Sequence, residues 1–274
     1  MRPERDNIAA PELPGRIKWL NCEAPPKMAA LTAAGPVLVH FFDPTQLNSV
    51  RALPYLVEWN RRYSGHGLTT VGIHSPRFAL TANADVAMDL IERSGVEHAV
   101  ALDLDYAIWH DYGCLGWPSL FLWGQGGALA WAHRGEGEYR ATEEAIQDEL
   151  RKADVTRDLP VPMETVRATD EPGALLTAQS DEILPGGSPA EAWAAQARNS
   201  RLGFDYEGGE AWVVADGEGE LRAEVDGEPS APVQVPPAGL IKLAGEGRHE
   251  AHRVELDVSE GVRVWAISFA PGAP

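Results

Sequence analysis

Few residues in this 274-residue chain have the type and spacing that chemistry requires. His40 and His74 lie on or at the end of apolar strands, with Asp43 and Ser75 near the turns that follow. A Ser-His-Asp relay can be assembled from them on paper, but no G-x-S-x-G elbow presents a nucleophile. Satisfied polar groups near strand ends are the plainer reading. Asp103 and Asp105 flank a helix start, where acids cap backbone N–H groups; a metal would need further ligands nearby, and none is found. His249 and His252 fall in an acidic, Gly-rich stretch and read as solvated strand-end residues. Two thiols remain, Cys22 and Cys114. No cation stands next to Cys114 to lower its pKa, so a small buried hydrophobe is the first reading. The alternative is a single-thiol enzyme in which Cys114 forms mixed disulfides or serves as a peroxidatic sulfur, with a small thiol or a partner cysteine as resolver. A Cys22–Cys114 bond is not expected.

The segment "HFFDPTQLNSVRALPYLVEW" (40–59) carries an apolar strand into a polar turn and then a helix bearing Leu53, Leu56 and Trp59. A helix N-terminus at Gln46, Leu47, Asn48 and Ser49 offers unpaired N–H groups to a carboxylate, a phosphate or a peptide carbonyl. Asn48 and Ser49 can donate as well. The same groups can equally serve only to cap the helix, and both readings stand.

These residues need elements to position them. Residues 36–42 read as a buried strand, 49–63 as an amphipathic helix, 68–74 as a second strand and 83–94 as a second helix. A short strand at 99–103 and a helical turn around Tyr106–Tyr112 follow. Residues 118–135 read as a hairpin turning at Gly124–Gly127. Thr142 is read as the cap of a last helix, with Glu143 and Glu144 in its first turn. Strands alternating with helices and closing on a hairpin describe a three-layer α/β domain over residues 1–152. Residues 153–188 are rich in Pro, Gly and charge, as a linker or wrapping segment is. In 189–274 the strand period takes over, with 220–225, 253–258 and 263–269 alternating apolar and polar side chains. Short strands at this spacing indicate an all-β sandwich or a similar barrel. Trp193, Phe204, Tyr206, Trp212 and Trp265 lie there; aromatics in strands are more often core than sugar platforms, and alternation places Trp265 on one face with Ile267 and Phe269.

Composition sets the outer bounds. A net charge of −18 with no basic stripe argues against nucleic acid and against an anionic membrane surface. The charge is uneven: residues 1–160 carry 21 acids and 15 bases, and 161–274 carry 20 and 8. No apolar run long enough to span a bilayer and no secretory leader is evident, so no membrane insertion is expected and the default address is the cytoplasm. Nothing calls for a metal or a cofactor.

Residues 16–150 resemble thioredoxin-fold proteins of the TlpA/DipZ type, and are similar to the thioredoxin-like domain of NHL-repeat-containing proteins. The resemblance rests on "WLN" (19–21), "VLVHFFDPTQLNSVRALPYL" (37–56), "GLTTVGIHSPRF" (67–78), "DLDYAIWHDYGCLGWPSLFLW" (103–123) and "GEGEY" (135–139). In the second half, "SPAEAWAAQAR" (188–198), "EVDGEP" (224–229), "GLIKL" (239–243) and "HRVELDVSEGVRVWAISFAPG" (252–272) resemble the C-terminal β-domain of DipZ-type proteins, which is regarded as similar to carbohydrate-binding modules. The resemblance places the attacking cysteine of the family at Gln46 and the resolving one at Ser49. A carboxamide and a hydroxyl can perform neither step. The resemblance also implies that Pro118 is the cis-proline facing the active-site turn. Its reading is a redox-inactive binding or scaffold protein that takes a protein, a peptide or a small ligand in the former active-site groove. Gln46, Leu47, Asn48, Ser49, Trp117 and Pro118 would form that groove. Ligand or glycan binding by the β-domain is a further alternative.

Overall fold

The computed structural model describes residues 8–154, 156, 158–196 and 200–274. These residues fall into two compact units: one holds the residues up to Pro76 with Ala87–Val166, the other Arg77–Val86 with Arg167–Pro274.

The first unit is built in the order β1 (Trp19–Leu20), α1 (Met28–Ala34), β2 (Val37–Phe42), α2 (Leu47–Tyr63), β3 (Thr69–His74), α3 (Ala84–Arg93), β4 (Ala99–Leu102), α4 (Ala107–Asp111), β5 (Ser119–Trp123), β6 (Leu129–Arg134) and α5 (Tyr139–Ala153). Its sheet runs β1-β4-β3-β2-β5-β6, with β2, β3 and β4 parallel and the rest antiparallel. This is a thioredoxin-like α/β fold. β2 is apolar without alternation because it is central and covered on both faces, and all six of its residues are buried. Val37, Val39 and Phe41 pack with Val71, Ile73 and Phe121 against Met28 of α1 and Ile108 and Trp109 of α4. Leu38, His40 and Phe42 face the other way. On α2, Leu53, Leu56, Trp59 and Tyr63 recur at helical spacing and are all buried.

The last helix of this unit starts earlier than its sequence suggests. Tyr139 opens it, stacked on Tyr55 with ring centroids 3.7 Å apart, and Glu138 before it has φ 51°. Thr142 therefore lies inside the helix and does not cap it. Its hydroxyl donates to the Glu138 carbonyl at 2.9 Å and accepts from the Trp131 indole at 3.2 Å. Glu143 is consequently not a first-turn residue but a buried one. It accepts from the Tyr63 hydroxyl at 2.7 Å and from the Met163 N–H at 3.0 Å. The Pro160 carbonyl accepts from Gln147 at 2.8 Å, and the Val166 N–H donates to the Tyr55 hydroxyl at 2.7 Å. Residues 160–166 are thus strapped onto α2 and α5.

The second unit is almost wholly antiparallel. Its strands are β7 (Trp193–Ala194), β8 (Ser200–Gly208), β9 (Glu210–Gly217), β10 (Glu220–Val225), β11 (Glu228–Pro229), β12 (Val233–Gln234), β13 (Ala238–Ala244), β14 (Glu250–Val258) and β15 (Val262–Ala270). One sheet runs β11-β10-β14-β8, with β12 beside β10; the other runs β13-β9-β15-β7. Phe204, Tyr206, Val254 and Leu256 from the first meet Val213, Val264, Ile267 and Phe269 from the second in one core. β8 and β9, which pair in different sheets, are additions to the strands read from sequence. Trp265 departs from the expected alternation. A register shift between Val264 and Ala266 turns it out of the line of Ile267 and Phe269, and its indole donates to Asp216 at 3.0 Å. The 77–86 segment joins this unit through Ala79 N–H to the Pro189 carbonyl (3.1 Å) and an Arg77–Glu182 ion pair (2.8 Å).

Candidate functional site at the strand ends

β2 and β3 are parallel and in register, Phe42 opposite His74, so the turns after them emerge at one end of the sheet. β5 runs against β2 with Ser119 opposite Phe41, which brings Pro118 to the same end. Topology therefore collects the Asp43–Gln46 turn with the start of α2, the Ser75 turn and the loop before β5. Hydrogen bonds tie the last two together, because the Trp117 indole donates to the Ser75 carbonyl at 2.8 Å. The Pro118 carbonyl in turn accepts from the Gly135 N–H at 2.8 Å, which adds the loop after β6. The Trp117–Pro118 peptide bond is cis.

The turn before α2 satisfies itself. Asp43, fully buried, accepts from both the N–H and the hydroxyl of Thr45 at 2.7 Å, while its carbonyl accepts from the Gln46 N–H. Its own N–H donates to the Ser49 hydroxyl at 3.3 Å. Gln46 is the residue before the helix, and its side-chain oxygen accepts the Ser49 N–H at 2.8 Å. Capping is thus realised for one of the helix's first N–H groups. Of the six residues expected to form a groove, Leu47, Ser49 and Pro118 are buried, whereas Gln46, Asn48 and Trp117 keep part of their surface. Trp117 lies against Trp109 with ring centroids 4.4 Å apart. Leu115, which the sequence does not single out, is 79% exposed in the same loop. Arg51, in the second turn of α2, is buried against Glu136 in an ion pair of 2.5 Å.

The remaining candidates do not form a relay. Ser75 donates to Asp103 at 3.0 Å, and Asp103 also accepts the Ile108 and Trp109 N–H groups at 2.9 Å each, so it caps α4 as expected. His40 turns away to His98, a residue that sequence reasoning passed over, with the two Nε2 atoms 2.7 Å apart. Nothing local marks His98; only the fold brings it to His40. Cys114 is buried, and burial pushes its thiol up to about 12, far from a thiolate at neutral pH. Cys22 is exposed, and both cysteines are free. His252 pairs with Asp226 at 2.7 Å at the rim of the β-unit, and hydrogen bonding from the imidazole lowers the Asp226 carboxyl. Among the described residues no cluster of three or more His, Cys, Asp or Glu side chains could hold a metal, and no helix is long and apolar enough to cross a membrane. What the strand-end site offers chemically is carboxamide and indole surface. Such groups hydrogen-bond to carbonyls and stack on rings.

No family model matches the chain. It is 26% identical to Protein DipZ of Mycobacterium bovis across an alignment of 296 positions that takes in 95% of the chain. The chain spans 42% of the length of that protein, and it matches DipZ of Mycobacterium tuberculosis to the same extent. It is 32% identical over 135 residues to NHL repeat-containing protein 2 of Gallus gallus, which covers 49% of the chain and 18% of that protein. Among solved structures, a thiol-disulfide isomerase from Corynebacterium glutamicum aligns with 20% identity and a TM-score of 0.44, covering 53% of this chain and 98% of that one.

Proposed function

We propose that this chain is a thioredoxin-fold protein that binds a partner through its strand-end face and does not exchange disulfides there. The observation that carries the reading is the Gln46 side chain. It stands at the position the resemblance gives to the attacking sulfur, and it is occupied in holding the Ser49 N–H. Dithiol exchange needs a thiolate to attack and a second sulfur to release the mixed disulfide. Neither Gln46 nor Ser49 supplies one, and the hydroxyl of Ser49 is buried. The half-exposed Gln46, Asn48 and Trp117, with the exposed Leu115, suit an extended peptide whose backbone meets carboxamides and whose side chain meets apolar surface.

The experiment is insulin reduction by dithiothreitol with the full chain present. The expected rate is that of the protein-free control. Turnover clearly above it would refute the reading.

A further inference from the structure

His40 and His98 meet edge-on in the interior of the first unit, ring centroids 4.9 Å apart and planes at 74°. His40 is fully buried and His98 is 7% exposed. Neither Nδ1 has a hydrogen-bond partner. A neutral imidazole carries a single N–H. If one ring donates across the contact, the other must hold its hydrogen on Nδ1, where no acceptor lies. The pair is therefore under-satisfied even when neutral. A further proton would place a cation there and add another N–H without a partner.

Among the described residues no countercharge meets that cation. Phe42 lies against the His40 ring with centroids 4.9 Å apart, and a Cβ on Gly72 would lie 3.1 Å from His40 Nε2 and 3.1 Å from Val100. Leu120 flanks it on β5. At the far end of β3, His74 lies beyond Phe42, ring centroids 6.2 Å apart. The buried charged groups of α2 and α5 have their own partners, Arg51 with Glu136, Glu143 with Tyr63 and Glu149 with Lys152. On α3, Asp85, Asp89, Glu92 and Arg93 are exposed, as is Glu97 beside His98.

We propose that the His40–His98 pair is an acid-triggered release for the β1–β4 edge of the sheet, in which protonation expels His98 and the turn that carries it. His40 cannot leave, because β3 and β5 hold its strand on both sides. His98 can, since it stands in the turn before β4 between exposed Glu97 and half-buried Ala99. Its departure would reach the edge strand through Asn21, whose side chain donates to the Val96 carbonyl at 2.8 Å and to that of His98 at 3.2 Å. Asn21 directly follows β1, whose short pairing with β4 comprises Trp19, Leu20 and the Lys18 carbonyl, which accepts from the Leu102 N–H at 2.9 Å. Burial lowers both imidazoles, His98 to about 4 from an ordinary 6.5. The open state thus binds more protons below 6.5, so the closed edge is fully favoured above that pH and loses ground as pH falls toward 4.

The test is hydrogen exchange of the full chain from pH 8 to 4, corrected for intrinsic rates, read on residues 16–23 and 95–102 with 37–42 as the internal reference. The expected result is a loss of protection of about tenfold or more at the two edge segments between pH 6.5 and 4, with 37–42 unchanged. His98→Gln should abolish the pH dependence. Undiminished protection at pH 4, or the same loss in His98→Gln, would overturn the proposal. Should that variant not fold, the imidazole proton resonances of the unaltered chain decide. Titration of His98 together with edge opening supports the release, and titration near 6.5 without opening refutes it.

Discussion

The side-chain oxygen of Gln46 accepts the backbone N–H of Ser49 at 2.8 Å, joining across one helical turn the two positions to which the resemblance assigns cysteines. The bond ties the residue before the helix to its first turn. Two predictions follow from its two ends.

Removing the cap should weaken the helix without altering the fold. Gln46→Ala is expected to cost roughly 0.5–1 kcal/mol, the range for a lost cap, read as a lower midpoint in urea at unchanged slope. An unchanged midpoint would mean that solvent replaces the cap at no cost.

Putting sulfur back should restore exchange. In the double variant Gln46→Cys, Ser49→Cys the first thiol would sit at the start of a 17-residue helix, whose dipole and N–H groups favour a thiolate. The expectation is insulin reduction above the control, with the unaltered chain at the control rate. If the double variant folds and stays inactive, the frame around the turn has diverged along with the cysteines.

The native thiols should differ sharply in reactivity. Cys22 is exposed, whereas Cys114 is buried with its thiol pushed up to about 12. Iodoacetamide at pH 8 followed by mass spectrometry should label Cys22 first and Cys114 only after denaturant is added. Rapid labelling of Cys114 in the folded chain would revive the single-thiol enzyme.

Glu143 should matter more than any exposed acid. It is 1% exposed and binds both the Tyr63 hydroxyl and the Met163 N–H. Glu143→Ala takes the acceptor from the buried Tyr63 hydroxyl and the half-buried Met163 N–H, so a loss of about 1–3 kcal/mol is expected. Proteolysis should then cut first within 158–166, a segment that resists in the unaltered chain.

Much of this was legible in the sequence, and the exceptions have physical causes. The unbroken apolar run of β2 and the helical spacing of Leu53, Leu56 and Trp59 announce a covered central strand and the helix on it. Thr142 misleads because its type suits a cap, while the true start is set by a Tyr139–Tyr55 stack between residues far apart in the chain. Trp265 misleads because a bulge breaks an alternation that the residues alone continue. His98 sends no signal, since its neighbours read as an ordinary turn and its partner is 58 positions away. Of the site, the turn and the loop before β5 were visible. The burial of Leu47, Ser49 and Pro118 was not, because burial depends on which strand ends meet.

One segment has a consequence in time. Residues 77–86 belong to the same compact unit as 167–274, although residues 87–166 lie between them in the chain. On a ribosome adding about 5–20 residues per second, that segment emerges on the order of ten seconds before the last of the residues that surround it. Folding of the first unit can start with its own residues in hand, whereas the second stays open until residues 167–274 have followed. During that interval Phe78 and Leu80, both buried in the finished protein, are hydrophobic surface waiting for a cover.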